Sequence, residues 1–248
     1  MRVVELLGAP GSGKTTLARQ LALRLGGAIE LEEAVRSSIR ERGDDSVARI
    51  VARVTTSSSS RLWKGAYSRS TDRFSALARF LGEKPETLEA VLAAQRHRVD
   101  RDRGQELVLG WVLNLMARYQ LAIESDLFDS LVIDEGFLQR AVALFGHGFG
   151  PEDEVNLRAY LEAIPRPDVV VLLETPLELC IRRLDSKGWS ERVAEVSEPD
   201  RRGFLEASSR VVNEVSAQVE TLGTSLIRVD GTEPIAVSAG SIIGRLRS

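Results

Sequence analysis

Eight residues near the start of the chain carry the clearest chemistry. Gly8-Ala9-Pro10-Gly11-Ser12-Gly13-Lys14-Thr15 has a glycine, four free positions, then Gly-Lys-Thr. Glycines at such positions let successive backbone N–H groups turn inward around a polyphosphate. A helix that begins at Lys14 adds the positive end of its dipole. Lys14 supplies a cation to the β- and γ-phosphates, and the Thr15 hydroxyl completes a Mg²⁺ shell. Thr16 follows and is counted with the loop. This pattern predicts a phosphate-binding loop and hence a nucleoside triphosphate as ligand.

Carboxylates come next. Leu131-Val132-Ile133-Asp134-Glu135 places two acids at the end of an apolar run. In a parallel sheet, ligands bind at the carboxyl ends of the strands. Asp134 is therefore a candidate for Mg²⁺, held directly or through water, and both Asp134 and Glu135 are catalytic candidates. Asp134 could instead cap the helix that follows. Within Glu30-Leu31-Glu32-Glu33, Glu32 is the candidate to accept a proton from a substrate hydroxyl. The alternative there is an acidic first helical turn.

These groups need a scaffold. Arg2 to Leu7 reads as a buried strand, Thr15 to Leu25 as a helix stopped by Gly26-Gly27, and Ala28 to Leu31 as a second strand. Strand signals return at Ser130–Asp134, Asp168–Glu174 and Ser225–Asp230. Val169 to Leu173 is a continuous apolar run, as expected for a central parallel strand covered on both faces. Helices are predicted at Phe137–Leu144, Pro176–Asp185, Gly203–Leu222 and Pro234–Leu246. The fold class is α/β: a parallel sheet of about five strands flanked by helices, of the P-loop NTPase type. From about 40 to 125 strand signals are sparse, and Gln105 to Glu124 reads as one long helix. This stretch is expected to be a helical insertion on the acceptor side of a single domain spanning 1–248. Ser57 to Ser60 reads as a loop.

The chain has 248 residues, 43% hydrophobic and 28% charged, an ordinary globular balance. Its formal charge of −3 gives no global basic field for nucleic acid or membrane. No apolar stretch is long enough to span a bilayer. The single cysteine, Cys180, excludes an intrachain disulfide. A cytoplasmic location is expected. The arginine-rich run Gln95–Arg103 alternates with aspartates and lacks aromatics, so it reads as a solvated helix end. Gly146-His147-Gly148-Phe149-Gly150 reads as a turn, with His147 a weak candidate base.

Several segments together resemble the P-loop kinases of the thymidylate kinase and deoxynucleoside kinase group. They are GAPGSGKTT, Val132-Ile-Asp-Glu-Gly136, Leu173-Glu-Thr-Pro-Leu-Glu-Leu-Cys-Ile-Arg-Arg183 and Val229-Asp-Gly-Thr-Glu-Pro234. The resemblance implies ATP and Mg²⁺ as cofactors and places Asp230, Gly231 and Thr232 beside the adenine. It makes Arg183 the arginine that neutralises the transferring phosphoryl group, at the start of a lid over about 183–203. Lys187 lies four residues on, so it can share that helical face. Trp111, Asn114 and Arg118 share one face of the long helix, and the resemblance makes Arg118 the contact to the phosphate acceptor. Glu135 stands where thymidylate kinases carry arginine, which suits a hydroxyl or amine in the acceptor. The implied activity is transfer of the ATP γ-phosphate to a small molecule: a nucleoside, nucleotide or sugar-like hydroxyl. The alternative is a nucleotide-dependent switch or ATPase acting on a protein partner. A homodimer is compatible with the resemblance.

Overall fold

The computed structural model describes residues 1–96, 104–146, 151–189 and 197–247. Most of the arginine-rich run, the turn carrying His147 and the middle of the expected lid lie outside them.

Five strands form one parallel sheet in the order β2-β3-β1-β4-β5. They are β1 (Arg2–Gly8), β2 (Ala28–Glu30), β3 (Ser130–Ile133), β4 (Val169–Glu174) and β5 (Ser225–Asp230). The central strand β1 pairs Arg2–Glu5 with Ser130–Ile133 on one side and Val4–Gly8 with Val169–Leu173 on the other. Side chains alternate between the faces of a strand, so β1 splits its apolar residues. Val4 and Leu6 pack on one face with α1 (Lys14–Arg24) and α12 (Ile235–Arg247). Val3 and Leu7 face a larger core on the opposite side. Glu5 shares that second face and is 2% exposed.

The second core holds most of the helices. α2 (Leu31–Arg42), α3 (Ser46–Val54), α4 (Arg61–Arg69), α5 (Thr71–Glu83), α6 (Pro85–Arg96) and α7 (Gly104–Ile123) fill the stretch between β2 and β3. No strand interrupts them among the described residues. After β3 come α8 (Phe137–Phe145) and α9 (Pro151–Ala163); α10 (Leu177–Lys187) and α11 (Glu198–Thr221) separate β4 from β5. Local chemistry sets several of these boundaries. The Asp45 carboxylate caps α3 by accepting the Val47 and Ala48 N–H groups, both at 3.0 Å. Gly188, at φ 102°, ends α10 in a conformation that suits glycine. The loop at Ser57–Ser60 is confirmed, with Ser58 N–H donating to Glu33.

Phe80, Tyr119 and Phe137 meet ring to ring at 5.4–6.4 Å, and the buried Tyr160 hydroxyl donates to the Phe137 carbonyl at 2.7 Å. These contacts fix the start of α8, the helix that follows Asp134 and Glu135.

Candidate active site

The carboxyl ends of β1, β3, β4 and β5 converge. The loop from Gly8 leaves β1, enters α1 and takes positive φ at Gly11 (81°) and Gly13 (110°). A Cβ on Gly11 would stand 2.7 Å from the Cys180 carbonyl, so the loop lies directly against α10. The Lys14 ammonium donates to the carbonyls of Gly8 (2.8 Å) and Ala9 (3.0 Å). Burial pushes the Lys14 pKa down to about 8, while the nearby charges of Glu135 and Asp134 hold it up. The Ser12 hydroxyl is buried in the loop without a hydrogen-bond partner among the described residues. Thr15 is half-buried beside it and Thr16 is exposed.

Arg183 fastens three elements together. Its guanidinium, on α10, donates to the Ser12 carbonyl at 2.9 Å and to the Gly231 carbonyl at 3.0 Å. The Thr175 hydroxyl, just after β4, adds a second bond to the Ser12 carbonyl at 3.2 Å. Gly231 also packs so tightly on Thr175 that a Cβ there would overlap its hydroxyl, 1.7 Å away. Asp230 accepts the N–H and hydroxyl of Thr232, which pull its pKa down, hydroxyl first. The Asp230–Thr232 turn is thus tied to the loop through Arg183 and Thr175. Lys187 is exposed at the end of α10.

On the other side of the loop, two acids and two arginines interlock. Glu32 pairs with Arg118, joining two residues that the sequence singled out separately. Burial first, then the nearby Arg140 charge, push the Arg118 pKa down to about 10; Asp134 and Glu135 oppose this. Glu135 pairs with Arg140 at 3.0 Å. Arg140 lies over the Trp111 ring, 5.6 Å from its centroid, and its Nε is buried without a hydrogen-bond partner among the described residues. Asn114 is half-buried on the same helix. Glu33, the neighbour not favoured from sequence, pairs with Arg36 inside the helical layer.

A cavity of about 370 Å³ opens here, bounded by Pro10, Trp111, Glu135, Arg140, Trp189 and Phe204. It therefore lies between the phosphate loop, α7, α8, Trp189 after α10 and Phe204 on α11. Three aromatic walls and a balanced acid–base pair suit a planar, uncharged guest.

Three contributors escaped the sequence reading. Glu5 accepts the Gln139 N–H at 3.0 Å, and its carboxyl fills the space against Gly136 that a Cβ would need. Burial pushes its pKa up to about 8, against three N–H groups of α8 and the Arg140 charge. Gln139 in turn accepts the Gly8 N–H at 3.2 Å. Arg140 completes the set. A signal existed for Glu5, the one ionisable residue inside the apolar run of β1.

No group of three or more His, Cys, Asp or Glu side chains able to hold a metal occurs among the described residues. One hydroxyl and one carboxylate fit Mg²⁺ that takes its remaining ligands from phosphate and water, its usual habit beside a triphosphate.

No protein-family model matches the chain. Among solved structures, a deoxyadenosine kinase from M. mycoides with bound dATP aligns at TM-score 0.54 and 13% identity, covering 99% of this chain and all of that one. The same enzyme with dCMP and a flexible dCDP gives 0.53 at 13% identity, over 99% of this chain and 98% of that one. Its dCTP complex gives 0.50 at 12% identity, with the same coverage. In its described residues, then, this chain has the P-loop fold of those deoxynucleoside kinases.

Proposed function

We propose that the chain is an ATP- and Mg²⁺-dependent kinase that phosphorylates a small, uncharged acceptor. The observation that carries this reading is the cavity beside Pro10. A guest held there would stand beside the phosphate loop and Trp189, within reach of a transferable phosphoryl group.

The roles follow from the geometry. The loop N–H groups and Lys14 hold the triphosphate, with Lys14 exchanging the Gly8 and Ala9 carbonyls for phosphate oxygens. Thr15 and Asp134 hold Mg²⁺, which when bound offsets charge on the phosphates. Arg183, expected to neutralise the transferring phosphoryl group, has its guanidinium on the Ser12 and Gly231 carbonyls, so its part here is to clamp the loop to the Gly231 turn and shape the adenine side. Trp111 and Arg140 form one wall for the acceptor. Glu32 or Glu135 accepts the hydroxyl proton, each kept near the site by its arginine. Closure of the lid, with Lys187 at its root, excludes water during transfer. Both arginines on the acceptor side already face carboxylates, which supports a neutral acceptor over a phosphorylated one.

The M. mycoides enzymes of the same fold are deoxyadenosine kinases, so a deoxynucleoside is the first acceptor to try. A cytoplasmic setting suits the buried thiol of Cys180. The test is ADP release from ATP with nucleosides, nucleotides, sugars and aminoglycosides in turn. Acceptor-dependent release is expected. ATP hydrolysis at one rate with and without every acceptor would sink the proposal.

A further inference from the structure

Residues 46–74 form α3, α4 and the first turn of α5, and their charge departs sharply from that of the whole. Arg49, Arg53, Arg61, Lys64, Arg69 and Arg73 stand against one acid, Asp72, in a chain whose formal charge is −3. Asp72 is buried and accepts the N–H groups of Asp44 and Asp45 at 2.8 and 3.2 Å. Asp45, at the border, is occupied in capping α3 and accepting the Thr71 N–H. Arg49, Arg69 and Arg73 donate to the main-chain carbonyls of Gly43, Gly65 and Ser68, which leaves their charges uncompensated by those bonds.

The same surface exposes aliphatic side chains. α3 buries Ala48 and Ala52 and turns Val47, Ile50 and Val54 outward, at 65%, 59% and 70% exposure. Their i, i+3, i+7 spacing makes one stripe. Leu62 on α4 is 71% exposed. Val47, Leu62, Gly65 and Ala66 line an open depression of about 580 Å³ together with Arg61 and Arg69 and one acid, Asp45, whose carboxylate is taken up by the N–H groups of Val47, Ala48 and Thr71. The small residues leave the depression concave, the shape that receives a ridge of side chains.

We propose that the α3–α4 face docks an acidic, amphipathic helix from a protein partner, its apolar ridge in the depression and its carboxylates on the rim arginines. Charge chooses among occupants. The same face of a second copy would set cations against cations. A flat bilayer would leave the depression between Val47 and Leu62 unfilled, whereas a ridge of side chains fills it.

The test uses the full chain and a fluorescein-labelled helical peptide of about 18 residues, roughly 27 Å long. Leucine occupies its i, i+3, i+4, i+7 positions and glutamate the others. Saturable anisotropy is expected, weakened roughly tenfold or more at high salt. The Val47→Ser/Leu62→Ser variant should bind roughly tenfold more weakly. The Arg61→Glu/Arg69→Glu variant should lose this peptide and gain a lysine-for-glutamate version. All four residues are exposed or at the rim, so ADP release in both variants should match wild type and confirm their fold. The inference is overturned if the peptide shows no saturable binding, if a scrambled peptide binds equally, or if neither variant alters the affinity. It is also overturned if phosphatidylglycerol–phosphatidylcholine vesicles bind with this variant dependence while the peptide does not.

Discussion

The Glu5 carboxylate on the central strand accepts the N–H of Gln139, at the start of α8, across 3.0 Å. The Gln139 side chain returns to the Gly8 N–H at 3.2 Å, so strand, helix and phosphate loop form one closed circuit. Burial sets the protonation of this circuit.

Glu5→Gln should change how stability depends on pH. The folded pKa is raised to about 8 from a reference near 4.5. A raised acid favours the folded state most at pH below 4.5. That advantage fades as pH climbs to about 8 and is gone above it. Glu5 alone should lower stability by up to about 1.4 kcal/mol per pH unit inside this window. Urea unfolding of wild type and Glu5→Gln between pH 5 and 9 measures the difference. Parallel curves would show that Glu5 is ionised throughout.

Lys14→Ala should abolish nucleotide binding and leave the fold intact, as read by calorimetry and circular dichroism. In wild type, phosphate contact raises the pKa of Lys14, so binding above pH 8 takes up a proton. Affinity for Mg-ATP should hold steady just below pH 8 and weaken above it, approaching tenfold per unit. An affinity flat from pH 7 to 10 contradicts the assigned contact.

Arg183→Ala removes two hydrogen bonds from a charged donor, one to the loop and one to the Gly231 turn. The KM for ATP should rise roughly tenfold or more, while the KM for the acceptor stays near its wild-type value. Arg183→Lys should recover little, because an ammonium lacks the planar fork that spans both carbonyls. An unchanged KM for ATP places Arg183 outside nucleotide binding.

Trp111→Ala takes away an aromatic wall of the cavity and the surface under Arg140. The acceptor KM should rise about tenfold with ATP affinity unaltered. The opposite pattern would move the acceptor site elsewhere.

Much of the scaffold was readable in the chain itself. A central parallel strand covered on both faces is a continuous apolar run, so β4 fell within a residue of its expected bounds; β5, at the sheet edge, was legible from its alternation of apolar and polar residues. Pro85 opens α6 just after α5 ends at Glu83, at the first helical position that its fixed φ suits. The helix Pro151–Ala163 was missed, although Leu157, Tyr160, Leu161 and Ile164 repeat at helical spacing. Its acidic, glycine-preceded start hid that pattern. The phosphate loop was legible because its chemistry is local: eight consecutive residues fold around one ligand. The roles of Glu5, Gln139 and Arg140 were not, since each depends on residues more than 100 positions away or on packing between helices. Glu32 and Arg118 were found singly, and only the fold could pair them.

Cys180 offers a use of its own. Its carbonyl lies against Gly11, and its thiol is fully buried, pushed toward the neutral form by burial and back toward thiolate by Lys14 and Arg183. As the sole sulfhydryl it is the one site for alkylation, and its burial means that labelling requires a local opening around α10, expected to include its separation from the loop. Its labelling kinetics are thus a native clock for that separation, free of any introduced probe, and bound nucleotide should slow it.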